Sequence, residues 1–218
     1  MIRLFRLGIA AACFCLAMLG AQSAMAACEV TDSTAFSDKF DVLDPTWGEY
    51  ENYKVEDGKL VIKPPAGFNT STINTASLYD DVDVCVDMTA LEPVYKGTCG
   101  SIIFWAVDYD NYYSFQVSTE GEASFWRRQR GRWLSQAAWQ PADGYNKDAG
   151  AVNQLEITTE GNKAKLYING KLFKEVKGSP PKEGQQVGLL ACSPNDQSAR
   201  VGFDEFVVNE VKKDDGSN

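Results

Sequence analysis

The side chains best equipped to recognise a ligand lie close together in this sequence. Trp105, Trp126, Trp133 and Trp139 are four of the five tryptophans, and Arg127, Arg128, Arg130 and Arg132 are four of the five arginines beyond residue 26. Flat aromatic faces stack on the apolar C–H faces of sugar rings while forked guanidinium donors grip hydroxyls, so the inventory suits a carbohydrate groove. On an extended segment Ser124, Trp126 and Arg128 share one face, and Phe125 shares the other with Arg127. The competing reading is structural: the tryptophans fill the core and the arginines are solvated hairpin-tip residues. Exposure of Trp105, Trp126 and Trp133 separates the two.

Several other chemistries lack their parts. The chain has no histidine, which removes Ser-His-Asp and Cys-His nucleophiles and imidazole zinc sites. A Gly-x-Ser-x-Gly elbow, a phosphate loop and a dinucleotide fingerprint are also absent, so no cofactor is expected. Formal charge is −9, from 21 basic and 30 acidic residues, opposite in sign to a duplex nucleic-acid binder. Asp108, Asp110 and Asn111 offer hard oxygens of the kind calcium takes, but Asp-x-Asp-Asn is equally ordinary turn chemistry, and no metal is expected. The run Asp80-Asp81-Val82-Asp83 reads as a solvated strand entrance. Asn69-Thr70-Ser71 satisfies the glycosylation pattern, which by itself carries little meaning.

The elements that must position these residues are strands. Asp57-Gly58 joins Tyr53–Glu56 to Lys59–Ile62, and Asn169-Gly170 joins Lys165–Ile168 to Leu172–Val176, both dipeptides tolerating the positive φ of a type I′ turn. The second hairpin sets Leu166 opposite Phe173. Val82, Val84, Val86 and Met88 alternate with Asp83, Cys85 and Asp87, the period-2 mark of a half-buried strand. Gly100–Val107, Tyr112–Ser118, Glu122–Gln129, Arg132–Trp139, Leu155–Thr159, Gln186–Ala191 and Arg200–Val208 complete about a dozen strands, and no convincing helical period interrupts them. An all-β, antiparallel sandwich follows, with residues 27–210 as a single domain and 211–218 as a polar tail.

Residues 1–26 read as an export leader: Arg3 and Arg6, an apolar run from Leu7 to Gly20, and a small-x-small site at Ala24-Met25-Ala26. The run is too short to span a membrane, and none is expected downstream. The mature protein is thus periplasmic or secreted, in a bacterium. Met25-Ala26-Ala27-Cys28 also loosely fits a lipoprotein box, so a lipid anchor at Cys28 is the lesser alternative. Four cysteines remain beyond the leader, Cys28, Cys85, Cys99 and Cys192, an even number suited to disulfides in an oxidising compartment. Three pairings are possible; proximity in sequence favours Cys85 with Cys99, leaving Cys28 with Cys192.

The segment from Gly100 to Tyr113, together with Phe125-Trp126-Arg127, Gly131-Arg132-Trp133, Leu166–Gly170 and Val201–Phe206, resembles the concanavalin A-like lectin/glucanase superfamily. More narrowly it resembles the bacterial 3-keto-disaccharide hydrolase domains, over most of residues 36–208. The resemblance implies a jelly roll of two curved antiparallel sheets with the first strand beside the last. It decides little about activity, because this fold hosts enzymes, lectins and passive modules. Glucanases of the superfamily carry Glu-x-Asp-x-x-Glu on a strand, a motif missing here. Hydrolysis by carboxylates drawn from separate strands stays open, since glycosidases need only two of them at a suitable distance. The expectation is an exported, non-catalytic glycan-binding module, its ligand residues Trp105, Tyr113, Trp126, Arg128 and Trp133. The alternatives are a hydrolase acting on 3-keto-disaccharides or glucans, and an envelope protein-interaction module with no sugar ligand.

Overall fold

In the computed structural model the described residues are 28–211; the export leader expected over 1–26 and, but for residue 211, the polar tail expected over 211–218 lie outside them. Fourteen strands follow one another: β1 (Thr34–Asp38), β2 (Tyr53–Glu56), β3 (Lys59–Ile62), β4 (Asn69–Tyr79), β5 (Val82–Leu91), β6 (Cys99–Asp108) and β7 (Asn111–Ser118), then β8 (Glu122–Gln129), β9 (Arg132–Pro141), β10 (Val152–Glu160), β11 (Lys163–Ile168), β12 (Lys171–Lys177), β13 (Gln185–Cys192) and β14 (Arg200–Glu210). A single 3-10 turn, Pro45–Trp47, lies between β1 and β2.

All pairings are antiparallel and build two sheets. The first runs β12-β11-β10-β5-β14-β3-β2, with β1 also on β14; the second runs β4-β13-β6-β7-β8-β9. One edge of β14 serves two partners in tandem. Val201–Phe203 pairs with β3, Phe206–Asn209 pairs with β1, and the bulge that separates them holds Glu205 at φ 47°. The first strand therefore lies beside the last, as the jelly-roll resemblance implied.

Alternation along the strands fills the space between the sheets. Val84, Val86, Leu155, Ile157, Leu166 and Phe203 on one side meet Ile102, Phe104, Phe115, Phe125 and Leu189 on the other. Each such side chain contributes about 1.5–3 kcal/mol on full burial. The Asp57-Gly58 and Asn169-Gly170 turns both take the expected positive φ. The second hairpin departs from simple register: Leu166 pairs with Lys174 and Tyr167 with Leu172, so Phe173 is the extra residue of a bulge. From there its ring stacks on Phe115 across the sandwich at 5.7 Å.

The cysteine pairing differs from the expectation. Cys28 bonds Cys85 and Cys99 bonds Cys192. Side-chain parity explains why: Val84 and Val86 face the core, so Cys85 faces outward from the first sheet, while Cys99 lies outward on the second sheet, directly across from Cys192. The two residues that are close in sequence thus point away from each other. The Sγ that an acyl anchor on Cys28 would use is the atom bonded to Cys85, so the two chemistries exclude each other.

Two expectations follow. Non-reducing peptide mapping should recover Cys28–Cys85 and Cys99–Cys192, and the Cys99→Ala/Cys192→Ala double variant should lose about 2–5 kcal/mol in urea denaturation, as expected for a link across a long loop. Glu156 lies between Cys85 and Tyr167 in the first sheet. Burial, helped by Asp83, pushes its carboxyl from 4.5 up to about 7. The folded state therefore holds a proton that the unfolded chain releases, and this contribution to stability fades as pH rises from about 4.5 to about 7. Glu156→Gln should flatten the pH profile of the urea midpoint over that window, by on the order of 1 kcal/mol once solvent screening is allowed for.

Candidate functional site

The second sheet presents a chemically distinct outer face. Cross-strand pairs put Ser101 beside Gln116, Ile103 beside Ser114, Ser114 beside Trp126 and Tyr112 beside Arg128, and the last row continues to Trp133 on β9. Residues i and i+2 share a face, so the small hydroxyls form a floor and the large rings rise at one end. Ser101 and Ser114 share a 2.7 Å hydrogen bond, and the Trp126 indole N–H donates to Ser124 Oγ at 2.9 Å. Being paired, these buried hydroxyls avoid the cost of an unsatisfied polar group, about 1–3 kcal/mol each.

Of the five residues expected to meet a ligand, the structure gathers three. Trp133 and Arg128 line an open cleft of about 560 Å³ at this end of the face, and Trp126 meets Trp133 edge-on at 6.4 Å. Trp105 and Tyr113 do not join them. They are only 2% and 3% exposed and belong to the core between the sheets. On β7 the inward positions are 113, 115 and 117, which leaves Tyr112 as the outward tyrosine. Trp105 is turned inward, next to Phe104, by its left-handed backbone (φ 46°) in the irregularity that breaks register between Phe104 and Asp108. It packs edge-on against Tyr113 at 5.2 Å.

The same irregularity leads into the turn that carries Tyr109 to the cleft. Asp108 holds that turn by accepting from the Asp110 backbone N–H (2.8 Å) and the Asn111 side-chain amide (2.9 Å), and Asn111 accepts in turn from the Arg130 N–H (3.1 Å). The three oxygen-bearing side chains considered for calcium therefore fasten one hairpin tip to another. Inside the cleft the Arg128 guanidinium sits 5.5 Å over the Trp133 ring and 3.3 Å from Asp110 Oδ1. Tyr112 meets Trp133 edge-on at 5.7 Å. Burial pushes its phenol up to about 12, keeping it a neutral donor at physiological pH.

The opposite wall was not legible as a site. It comes from β4 and the residues just before it: Phe68, Asn69 and Ser71 line the cleft together with Tyr109. Phe68 and Tyr109 are 66% and 53% exposed. The Tyr109 hydroxyl accepts from the Ile73 backbone N–H at 3.4 Å, which ties the β6–β7 turn to β4. A second cavity of about 540 Å³ adjoins on the far side of these residues, closed by the segment around the 3-10 turn. The turn is clipped to β4: Trp47 O accepts from Tyr53 Oη (2.7 Å) and Thr72 Oγ1 (2.8 Å), and Asn74 Nδ2 donates to Thr46 Oγ1 (2.8 Å).

Comparison with known proteins places this architecture. The sequence matches the 3-keto-alpha-glucoside-1,2-lyase-like domain over residues 32–205. No curated relative matches. Among solved structures, a carbohydrate-binding module, CBM66 from Bacillus subtilis, superposes with TM-score 0.56 at 18% identity, over 69% of this chain and 86% of that one. The endo-1,3-beta-glucanase catalytic domain of Thermotoga petrophila RKU-1 gives 0.56 at 15% identity, over 83% and 98%. The beta-glucanase of Bacillus licheniformis gives 0.57 at 12%, over 84% and 100%. At such identities the likeness is one of fold, a concanavalin A-like jelly roll.

The strand that carries the far wall depends on a glycine. A Cβ on Gly188 of β13 would lie 2.2 Å from the Thr72 backbone oxygen of β4. Gly188→Ala should therefore push β4 away, costing about 1–3 kcal/mol in denaturant titration and weakening whatever the cleft binds.

Proposed function

The chain belongs to the 3-keto-alpha-glucoside-1,2-lyase-like domain family, and from that premise we propose that it is an exported, non-catalytic β-sandwich that binds a glycan in the cleft of Trp133 and Arg128. The observation that carries this reading is the composition of the cleft: a tryptophan ring with a guanidinium over it, facing exposed Phe68 and Tyr109 across a gap edged by Asn69 and Ser71. Ring faces for stacking and side chains that both donate and accept are what a sugar requires. The solved structures similar in fold include both a carbohydrate-binding module and glucanases.

The cleft of Trp133 and Arg128 itself carries a lone carboxylate, which favours binding there over turnover. Glycoside hydrolysis needs two carboxyls about 5–9.5 Å apart, and Asp110 is the carboxylate among the residues lining the cleft. The family description supports a second reading, elimination across C1 and C2 of a 3-keto-α-glucoside. There the 3-oxo group acidifies the C2 proton, a base takes it, and the C1–O bond breaks with protonation of the leaving oxygen. Tyr112 would suit a donor to the oxo group and Asp110 a base, but Asp110 Oδ1 already lies 3.3 Å from the Arg128 guanidinium.

Export rests on the leader sequence and on the two disulfides, which persist in oxidising compartments. No helix of the described residues is long and apolar enough to cross a membrane.

Calorimetric titration against a panel of soluble glycans tests the assignment. Trp133→Ala and Arg128→Ala should each weaken binding roughly tenfold or more, a loss of at least about 1.4 kcal/mol, while Trp139→Ala, on the edge strand outside the cleft, should bind as the parent does. Equal affinities for all four proteins would remove the cleft from consideration. Incubation with 3-keto-α-glucosides, with and without divalent metal, should leave them intact; turnover abolished by Asp110→Asn would establish the elimination reading instead.

A further inference from the structure

Four large aromatic side chains are conspicuously exposed among the described residues: Tyr50 (60%), Phe68 (66%), Tyr109 (53%) and Trp139 (38%). The first three line the two adjoining cavities, whose volumes of about 540 and 560 Å³ are each enough for a small-molecule site. Phe68, Asn69, Ser71 and Tyr109 belong to both cavities and form the shared wall between them. Trp133 stands in one cavity, Phe68 and Tyr109 at the divide, and Tyr50 in the other. Aromatic rings exposed at three places around two adjoining cavities make a patch of the kind that a ligand covers.

We propose that the glycan bound over Trp133 continues past Phe68 and Tyr109 into the second cavity, so that the ligand is an uncharged oligosaccharide longer than a disaccharide. This rests on the glycan-binding reading and extends it to the class of ligand. Direct contacts hold the second cavity in shape. Its outer side is held by the hydrogen bonds of Tyr53 and Thr72 to Trp47 O, and Tyr50 lies over Tyr53 with ring centroids 6.3 Å apart and planes at 29°.

Charge selects the kind of chain. The lining of the second cavity contains one carboxylate, Glu49, and no lysine or arginine. In the first cavity the Arg128 charge is faced by Asp110 at 3.3 Å. Neither lobe offers an uncompensated cation to a uronate or sulfate. Asn52, Asn69 and Ser71, with their amides and hydroxyl, match the alternating donors and acceptors of neutral sugars.

The experiment is a length series, with malto- and laminari-oligosaccharides from disaccharide to hexasaccharide titrated calorimetrically into the intact protein. Affinity should climb roughly tenfold or more between the disaccharide and the longest chain, about 1.4 kcal/mol, and Tyr50→Ala should erase that climb. Circular dichroism and thermal unfolding of the variant establish that it is folded. Affinity independent of length, or a Tyr50→Ala loss as large for the disaccharide as for the hexasaccharide, overturns the two-lobed ligand while leaving glycan binding in place. If no length binds, or if Trp133→Ala binds every length as the parent does, the glycan-binding reading fails and takes this proposal with it.

Discussion

The carbonyl oxygen of Trp47 accepts two hydrogen bonds, one from the Tyr53 hydroxyl and one from Thr72 on β4. Around it Thr72 and Asn74 are wholly buried polar side chains on the outermost strand of the second sheet. An edge strand has one row of backbone partners and an unpaired side. Here the 3-10 turn covers that side and satisfies the polar groups, including Thr75, whose hydroxyl donates to Thr46 O at 3.0 Å. Every feature on the far side of the cleft depends on β4 staying in register with β13: Asn69, Ser71, the perch of the Tyr109 hydroxyl and the floor of the second cavity.

Across the sheet the governing rule is alternation, and one irregularity modifies it. Period 2 sends Phe115, Phe125 and Tyr113 inward, where Phe125 stacks on Tyr113 at 5.5 Å and on Phe104 at 5.9 Å, and sends Tyr112, Trp126 and Arg128 outward. The break in β6 adds Trp105 to the inner set and frees the following turn to swing Tyr109 over β4. Arg127, on the inward parity at the end of β8, places its guanidinium 5.1 Å over the Tyr113 ring, so neighbouring arginines serve opposite faces of one sheet. The tryptophan–arginine concentration is thus divided, with Trp105 and Arg127 turned inward and the others left on the surface.

This division explains how much the sequence disclosed. Strongly patterned strands such as Val82–Met88 and the Asp-Gly and Asn-Gly turns were legible because burial and positive φ each demand particular residue types. Strand β4 was not, because Thr72, Asn74 and Thr75 serve as clamps and replace the apolar alternation by which a strand is recognised. Parity counted from Phe115 would have preferred Tyr112 to Tyr113, and parity counted from Val84 would have separated Cys85 from Cys99. Trp105 lay beyond such counting, since a single left-handed residue reverses the face and nothing in its identity announces it; a tryptophan with φ above zero is sterically unfavourable. Phe68 and Tyr109 sit in turns, where exposure follows from tertiary contacts alone.

The shared edge of β14 bears on the order in which the molecule forms. β14 completes the first sheet by bonding β5 on one side and both β3 and β1 on the other, so residues near position 34 find their partners only when residues near 209 exist. A ribosome-bound chain that still lacks β14 cannot close this sheet, so its completion waits for the last strand. The two disulfides share this long-range character, joining cysteines 57 and 93 residues apart that only the assembled strands bring together.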